Sequence, residues 1–464
     1  SVVVFPVAVF RLSRRYFGVP AARRAAALAV VTPSVLLAAY AFGQLPTLLA
    51  LDASLFAADA LADFLRNGHP SRFALLLALG GATVAAHHAT FIFFLPPLLG
   101  TVVLAEFSRG LPRSRACRRG ALAVIGLGVV AILVVFPFWV WHATEYVAQV
   151  PIDHQSRHNL LRDVIAQDLF FWGEHGVLVA TLLLAPLRLA RRARQILPWY
   201  AMGIFLFVLG LGGTTPLPRM IFGGQWAWLT YDRFSIWADV PLILLLGAFA
   251  AGQLDSGRRP TLVANLAWVV TLGLLGFYSL FGALTPALVQ TEPRPIDPRP
   301  IVTYLQQNGG ARWRYLTLGM GDQAGIINAL ADAGTVDGSF YTARRLPLLT
   351  GSGIAQLDFS LLWDPRARTL RQLLANPAPE SLRWAFTEDP AYERLLTEAN
   401  WHELTVLSNR VQVWEAPRLP PPVAPSPART GVLAVWWGLV PLASLVSILP
   451  AGWWVWRTRE ARRG

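Results

Sequence analysis

Four groups of side chains have the types and spacing to do chemistry. The run V-P-I-D-H-Q-S-R-H-N-L follows Trp141. In it Asp153, His154 and His158 can ligate a divalent metal ion, because carboxylate and imidazole suit such an ion. Arg157 in the same run can grip a phosphate with its planar fork of donors. The competing reading is a polar cap on an amphipathic interface helix over residues 159–171. His87 and His88 form the second group. At a tight turn they can bind a metal or touch a phosphate, or simply be solvated there. The third group lies in G-T-T-P-L-P…W-L-T-Y-D-R-F. There Trp226, Trp228, Tyr231 and Trp237 suit an interfacial aromatic belt. Asp232 and Arg233 can pair with each other, or both can serve a substrate, Arg233 by binding a lipid phosphate. Asp52, Asp59 and Asp63 are the fourth group, sharing one face of a helix. Asp59 alone would lie deep, where a carboxyl can carry a proton path.

The elements that must position these groups are membrane helices. Of the 464 residues 54% are hydrophobic and 14% charged, against roughly 25% charged in soluble domains. The net charge of +13 does not point to nucleic acid. The basic residues, all arginine, sit in short clusters between apolar runs, as the positive-inside rule expects. The single cysteine, Cys117, excludes an intrachain disulfide. The chain opens at Ser1 inside an apolar stretch with no charged n-region, so it reads as a piece of a longer protein.

Arginine clusters at 11–24, 66–72, 109–119, 188–194, 258–259 and 457–463 all read as cytoplasmic. The intervening apolar runs then give about eleven crossings, the first one partial. Residues 73–107 are too long for one helix, so two short ones should turn at His87–His88. Residues 176–189 and 199–211 should be separate crossings. The fold expected is a polytopic α-helical membrane protein with a C-terminal extracytoplasmic α/β domain. Its parts are a helical module over 1–284, the outer domain over 285–428, and a last helix with a basic tail over 429–464.

Within the outer domain, helices are expected at 300–307, 325–331, 366–374 and 392–399. Strands are expected at 314–318 and 383–387, with a hairpin over 404–407 and 411–415. Residues 419–426, rich in proline, read as a stiff tether. The L-T-L-G-M-G-D-Q turn lacks the full dinucleotide fingerprint.

Five segments together carry a resemblance. They are Y-A-F-G-Q-L-P-T-L-L, A-H-H-A-T-F-I-F-F-L-P-P-L-L, I-D-H-Q-S-R-H-N, L-T-Y-D-R-F and L-T-L-G-M-G-D-Q. In this order they resemble bacterial membrane proteins labelled 6-pyruvoyl-tetrahydropterin synthase-related, over roughly residues 40–417. Nothing in the chain resembles the soluble pterin enzyme with its compact three-histidine zinc site. In architecture that family is similar to the C-type glycosyltransferases (GT-C), which work at the outer membrane surface on lipid-phosphate-linked sugars. The resemblance implies a bacterial plasma-membrane transferase that moves a sugar from a polyprenyl-phosphate donor to an extracytoplasmic acceptor. It implies supporting roles for His87, His88, Arg157 and Arg233. It puts the catalytic carboxylate in an outer loop ahead of Ser1. A divalent metal held by His87, His88, Asp153 and His154 would stabilise the leaving phosphate. The alternatives are a transporter or flippase of lipid-linked envelope precursors, and a non-catalytic membrane assembly protein.

Overall fold

The protein is described from a computed structural model covering residues 3–145, 147–252, 262–288, 293–337, 346–364, 366–422 and 432–460. Arg258, Arg259, Arg462 and Arg463 lie outside the described residues, as do positions 423–426 of the proline tether. The chain forms two compact units. One holds Ser1–Trp141, His154–Thr285 and Thr430–Gly464; the other holds His142–Asp153 and Pro286–Arg429. The expected outer domain therefore gains a segment: the Val150 N–H donates to Thr350 O at 2.7 Å.

The first unit is helical. Its elements used below are α1 (Val4–Phe17), α2 (Val19–Val30), α3 (Leu45–Asn67), α4 (Pro70–Ala86), α5 (His88–Ser108), α6 (Arg113–Glu145), α7 (Ala180–Gly210) and α8 (Asp232–Ala250). Among the described residues, five helices are long and apolar enough to cross a membrane: His88–Ser108, Arg113–Val140, Asp232–Ala250, Asn265–Leu284 and Val435–Thr458. The α2 helix and Pro33–Ala41 would together make a sixth span, bent by 43°. The turn at His87–His88 is where the sequence put it. His87 caps α5, accepting the Thr90 N–H at Nδ1. The range of α7 covers the stretch in which two crossings and a loop were expected. Even so, the Tyr200 hydroxyl donates to Leu182 O at 3.0 Å. A straight helix would hold those residues about 27 Å apart, so α7 folds back on itself between them.

The two ends of this unit differ in chemistry. At one end Arg11 and Arg15 both grip Asp59, at 2.6 and 2.8 Å. Arg15 also reaches Asp63, which Arg72 meets at 3.1 Å. Nearby, Arg66 and Arg109 hold the fully buried Glu106, and Arg119 donates to Leu65 O at the C-terminus of α3. Arg11, Arg14, Arg15, Arg23 and Arg24 thus sit in α1 and α2 rather than in a loop. At the other end lie Gln44, His87, His88, Asp232 and Arg233. The 23 residues of α3 make a rod of about 34 Å between the two ends.

The second unit is a mixed five-stranded sheet in the order β2-β1-β3-β5-β4. The strands are β1 (Arg314–Leu318), β2 (Gly334–Thr335), β3 (Leu382–Thr387), β4 (His402–Val406) and β5 (Gln412–Glu415). The first three run parallel, and β5 pairs antiparallel with β3 and β4. Alternation along the strands builds a core on each face. Leu316, Leu318 and Ala385 pack with Leu370, Leu373, Leu396 and Trp401. Tyr315, Trp384, Phe386 and Val413 pack with Ile301 and Leu305.

The turn after β1 is held by Asp358, whose Oδ2 accepts the Met320 and Gly321 N–H groups at 2.9 and 2.6 Å. Burial, reinforced by nearby Asp337, pushes the Asp358 carboxyl up to about 6. An unfolded aspartate titrates near ~3.9. The folded form therefore binds this proton more tightly, and the stability so gained is lost as pH rises from about 4 to about 6. A fragment spanning residues 286–427 should unfold cooperatively in a calorimeter, at a midpoint higher at pH 5 than at pH 7. Asp358→Asn should flatten that dependence. A fragment without a cooperative transition would show that this unit depends on the rest of the chain.

Candidate functional site

Three sequence segments far apart in the chain meet at the end of the first unit opposite the acid–arginine network. Gly212 and Gly213 let the 154–160 segment lie against the C-terminus of α7. A Cβ on either would fall about 2 Å from the carbonyl oxygens of Ser156 or Arg157, which only glycine avoids. Asn159 forms an antiparallel bridge with Gly212, and the Leu160 N–H donates to Thr214 Oγ1 at 2.9 Å. The same segment reaches the start of α8, where the Tyr231 N–H donates to the buried Ser156 hydroxyl at 2.8 Å. Arg157 donates to Ala227 O. Aromatic packing fixes the other side. Tyr231 lies against Trp226 with ring centroids 4.5 Å apart, and Phe222 and Phe234 connect it to Phe93 of α5.

Asp232 and Arg233 occupy the first turn of α8; the Arg233 charge acts on the Asp232 carboxylate, but each makes its hydrogen bond elsewhere. Asp232, 1% exposed, accepts the Gln44 amide at Oδ2 over 2.7 Å. Its Oδ1 is buried without a hydrogen-bond partner. An acidic residue suits this position, because the N-terminus of a helix carries partial positive charge. Arg233 donates from one terminal nitrogen to the Thr230 hydroxyl. Its Nε is buried and makes no hydrogen bond. The guanidinium is close enough to act electrostatically on both His87 and His88, whose rings lie 6.1 Å apart. His87 Nδ1 takes the Thr90 N–H and lies 2.8 Å from the Thr90 hydroxyl. That pattern assigns the ring proton to Nε2, making it a donor. His154 repeats it, with Nδ1 accepting the Ser156 N–H at 3.2 Å. The end of the bundle thus gathers a guanidinium with an unused buried donor and the imidazoles of His87 and His88 near one carboxylate. Such a set of donors suits a phosphate or another oxyanion.

Several expectations change. Among the described residues no group of three or more His, Cys, Asp or Glu side chains converges as a metal site, so His87, His88, Asp153 and His154 do not form one. Asp153 groups with the second compact unit and His154 with the first. His158 instead meets Asp163, Nδ1 to Oδ2 at 2.6 Å. Residues 159–171 are not one interface helix. Helix starts only at Val164, because Asn159 is spent on the bridge to Gly212. Of the supposed aromatic belt, Tyr231 and Trp237 are buried in the core. Asp59 is clamped by two arginines, which removes it as a proton carrier.

Other residues in this region escaped the sequence reading. Gln44 stood only within the segment Y-A-F-G-Q-L-P-T-L-L. Glu174, His175 and Asp239 are buried within the bundle, with His175 Nδ1 2.7 Å from Asp239 and the Ser34 hydroxyl 2.6 Å from its other oxygen. A signal for Asp239 was present: it falls seven residues after Asp232 inside an apolar run, on the same helix face. Compared with known proteins, the chain matches no family model and no curated protein.

Proposed function

We propose that this chain is a multi-pass protein of the bacterial plasma membrane whose Arg233 site holds the phosphate of a lipid-linked substrate at the extracytoplasmic face. On this reading it is a GT-C-like glycosyltransferase that moves a sugar from a polyprenyl-phosphate donor to an extracytoplasmic acceptor. The observation that carries the reading is the buried, unpartnered Nε of Arg233 beside His87 and His88. A guanidinium held there would neutralise the charge that grows on a departing phosphate, where low dielectric makes the interaction strong. The position of the site supports it. The opposite end of the unit carries the arginine network expected on the cytoplasmic side. The helix between them, about 34 Å long, matches a hydrocarbon core of about 30 Å. The α/β unit is then extracytoplasmic, and the C-terminal tail cytoplasmic.

Two experiments test this. Purified protein should bind a polyprenyl phosphate saturably and leave the matching polyprenol unbound; equal binding of both would sink the phosphate role. For orientation, a Cys117→Ser background receives Arg115→Cys, Arg194→Cys or Leu330→Cys, all at exposed positions. An impermeant thiol reagent on intact cells should label only the third, and labelling at 115 or 194 would invert the topology.

A further inference from the structure

The α/β unit holds a small cavity of its own. It lies at the carboxyl ends of β1 and β2, which run parallel, the end of such a sheet where ligands bind. Asp358 is fixed there on several sides. Its N–H donates to Asp337 Oδ2 at 2.9 Å. Its carbonyl accepts the Gly319 N–H at 2.9 Å and the Tyr392 hydroxyl at 2.8 Å. Its Oδ2 takes the N–H groups of Met320 and Gly321, and Thr317 of β1 acts on the same carboxyl. The remaining oxygen, Oδ1, is buried without a hydrogen-bond partner, on a residue 3% exposed that lines the cavity. Asp337 lines it too, two residues past the end of β2, its N–H turned back on Thr335 Oγ1 at 3.1 Å. Gln356 and the exposed Asp322 stand at the same cavity.

A buried acceptor that faces a cavity calls for an occupant, since an unpaired polar atom cut off from water is costly. The cavity is about 30 Å³, room for a few waters or one ion and too small for a sugar or a nucleotide. Its donors are hard oxygens: the carboxylates of Asp358 and Asp337, the Gln356 amide and the exposed Asp322. With two central carboxylates and no histidine or cysteine, the set does not suit zinc or another transition metal. Magnesium keeps several of its waters in a strict octahedron, for which so small a cavity has little room. Calcium accepts about six to eight oxygens in a flexible arrangement. We propose that the α/β unit binds one calcium ion, with Asp358 Oδ1 and Asp337 as its charged ligands and the Gln356 side-chain oxygen, Asp322 and water completing the shell. The ion ties the turn after β1 to the segment after β2 and to residues 356–358, which the Asp358 hydrogen bonds already bring together. Few charged ligands make a weak site, about 10⁻⁴–10⁻³ M, the range of extracellular calcium modules. The inference does not depend on the transferase reading.

The test is equilibrium dialysis of the full-length, chelator-treated protein in a nonionic detergent against radioactive calcium. One calcium per chain should bind saturably with a dissociation constant in that range, and an equal concentration of magnesium should displace little of it. Asp358→Asn should weaken binding at least about tenfold, because a charged ligand is lost, and Asp337→Asn should do the same. Gln356→Glu should tighten binding about threefold or more by adding a charged ligand. That variant decides the matter if Asp358→Asn fails to fold, which loss of its thermal transition would reveal. No saturable binding up to about 10 mM calcium, about ten times the weak end of the range, overturns the inference and leaves water as the partner of Asp358 Oδ1. Binding that Asp358→Asn and Gln356→Glu both leave unchanged overturns it as well, placing the ion among other carboxylates. Full displacement by an equal concentration of magnesium overturns the assignment to calcium.

Discussion

Arg233→Ala should weaken polyprenyl-phosphate binding about a hundredfold while leaving expression and helix content unchanged. Truncating one partner of a buried, hydrogen-bonded charge pair costs about 2–5 kcal/mol, and each 1.4 kcal/mol is a factor of about ten. The buried Nε and the neighbouring histidines give this arginine the setting in which that range applies. Arg233→Lys should recover part of the loss, because the charge returns without the two-point grip. An ion pair with Asp232 is one competing explanation, because the Arg233 charge acts on that carboxylate; it predicts that Asp232→Ala and Arg233→Ala lower stability alike and that the double mutant costs little more than either. The structural alternative is that Arg233 serves only to tie down Thr230. Thr230→Val would then reproduce the loss of stability, and lipid-phosphate binding by Arg233→Ala would stay at the wild-type level. Binding and thermal stability measured on the same preparations decide between them.

Asp59→Ala should cost about 3–5 kcal/mol of stability, the usual consequence of stranding buried charge by removing its partner. Asp59 is 6% exposed and answers two arginines at once. The two should not be equal: the Arg11 side chain is 38% exposed and that of Arg15 18%. Water can rescue the first more easily, so Arg15→Ala should be the more damaging. Arg15 also bridges to Asp63, and through it to Arg72. Its loss would loosen α1, α3 and α4 together. Thermal unfolding in detergent, read on Asp59→Ala, Arg11→Ala and Arg15→Ala, checks the order. If Asp59 carried protons instead, Asp59→Asn would leave the melting point unchanged and abolish substrate-driven proton movement in liposomes. The geometry predicts the reverse, a lowered melting point.

These two ends show where sequence reasoning succeeds and where it stops. Apolar runs, arginine clusters, the turn at His87–His88 and four of the five strands of the α/β unit were legible; the two-residue β2 was not. They are local signals: hydrophobic period, a capping residue, alternation over five or six residues. Even the Asn67–Gly68–Pro70 break between α3 and α4 is written in the residues, with Gly68 in the left-handed region and Pro70 opening the next helix. What the sequence left open was which polar groups share a neighbour. Arg11 lies 48 residues from Asp59, and Gln44 lies 188 residues from Asp232. No spacing rule reaches that far. Asp59 therefore read as the one deep carboxyl able to carry a proton path, and for Asp232 a pair with Arg233 and a role in binding substrate stayed open. Packing gave Asp59 two arginines and Asp232 the Gln44 amide, because a buried charge takes the partner that helix contacts bring to it. Glu174 is the extreme case. In sequence it is one acidic residue between Gly173 and His175 at the end of a polar stretch. The pairing of His175 with Asp239 holds the adjoining Glu174 inside the bundle, fully buried.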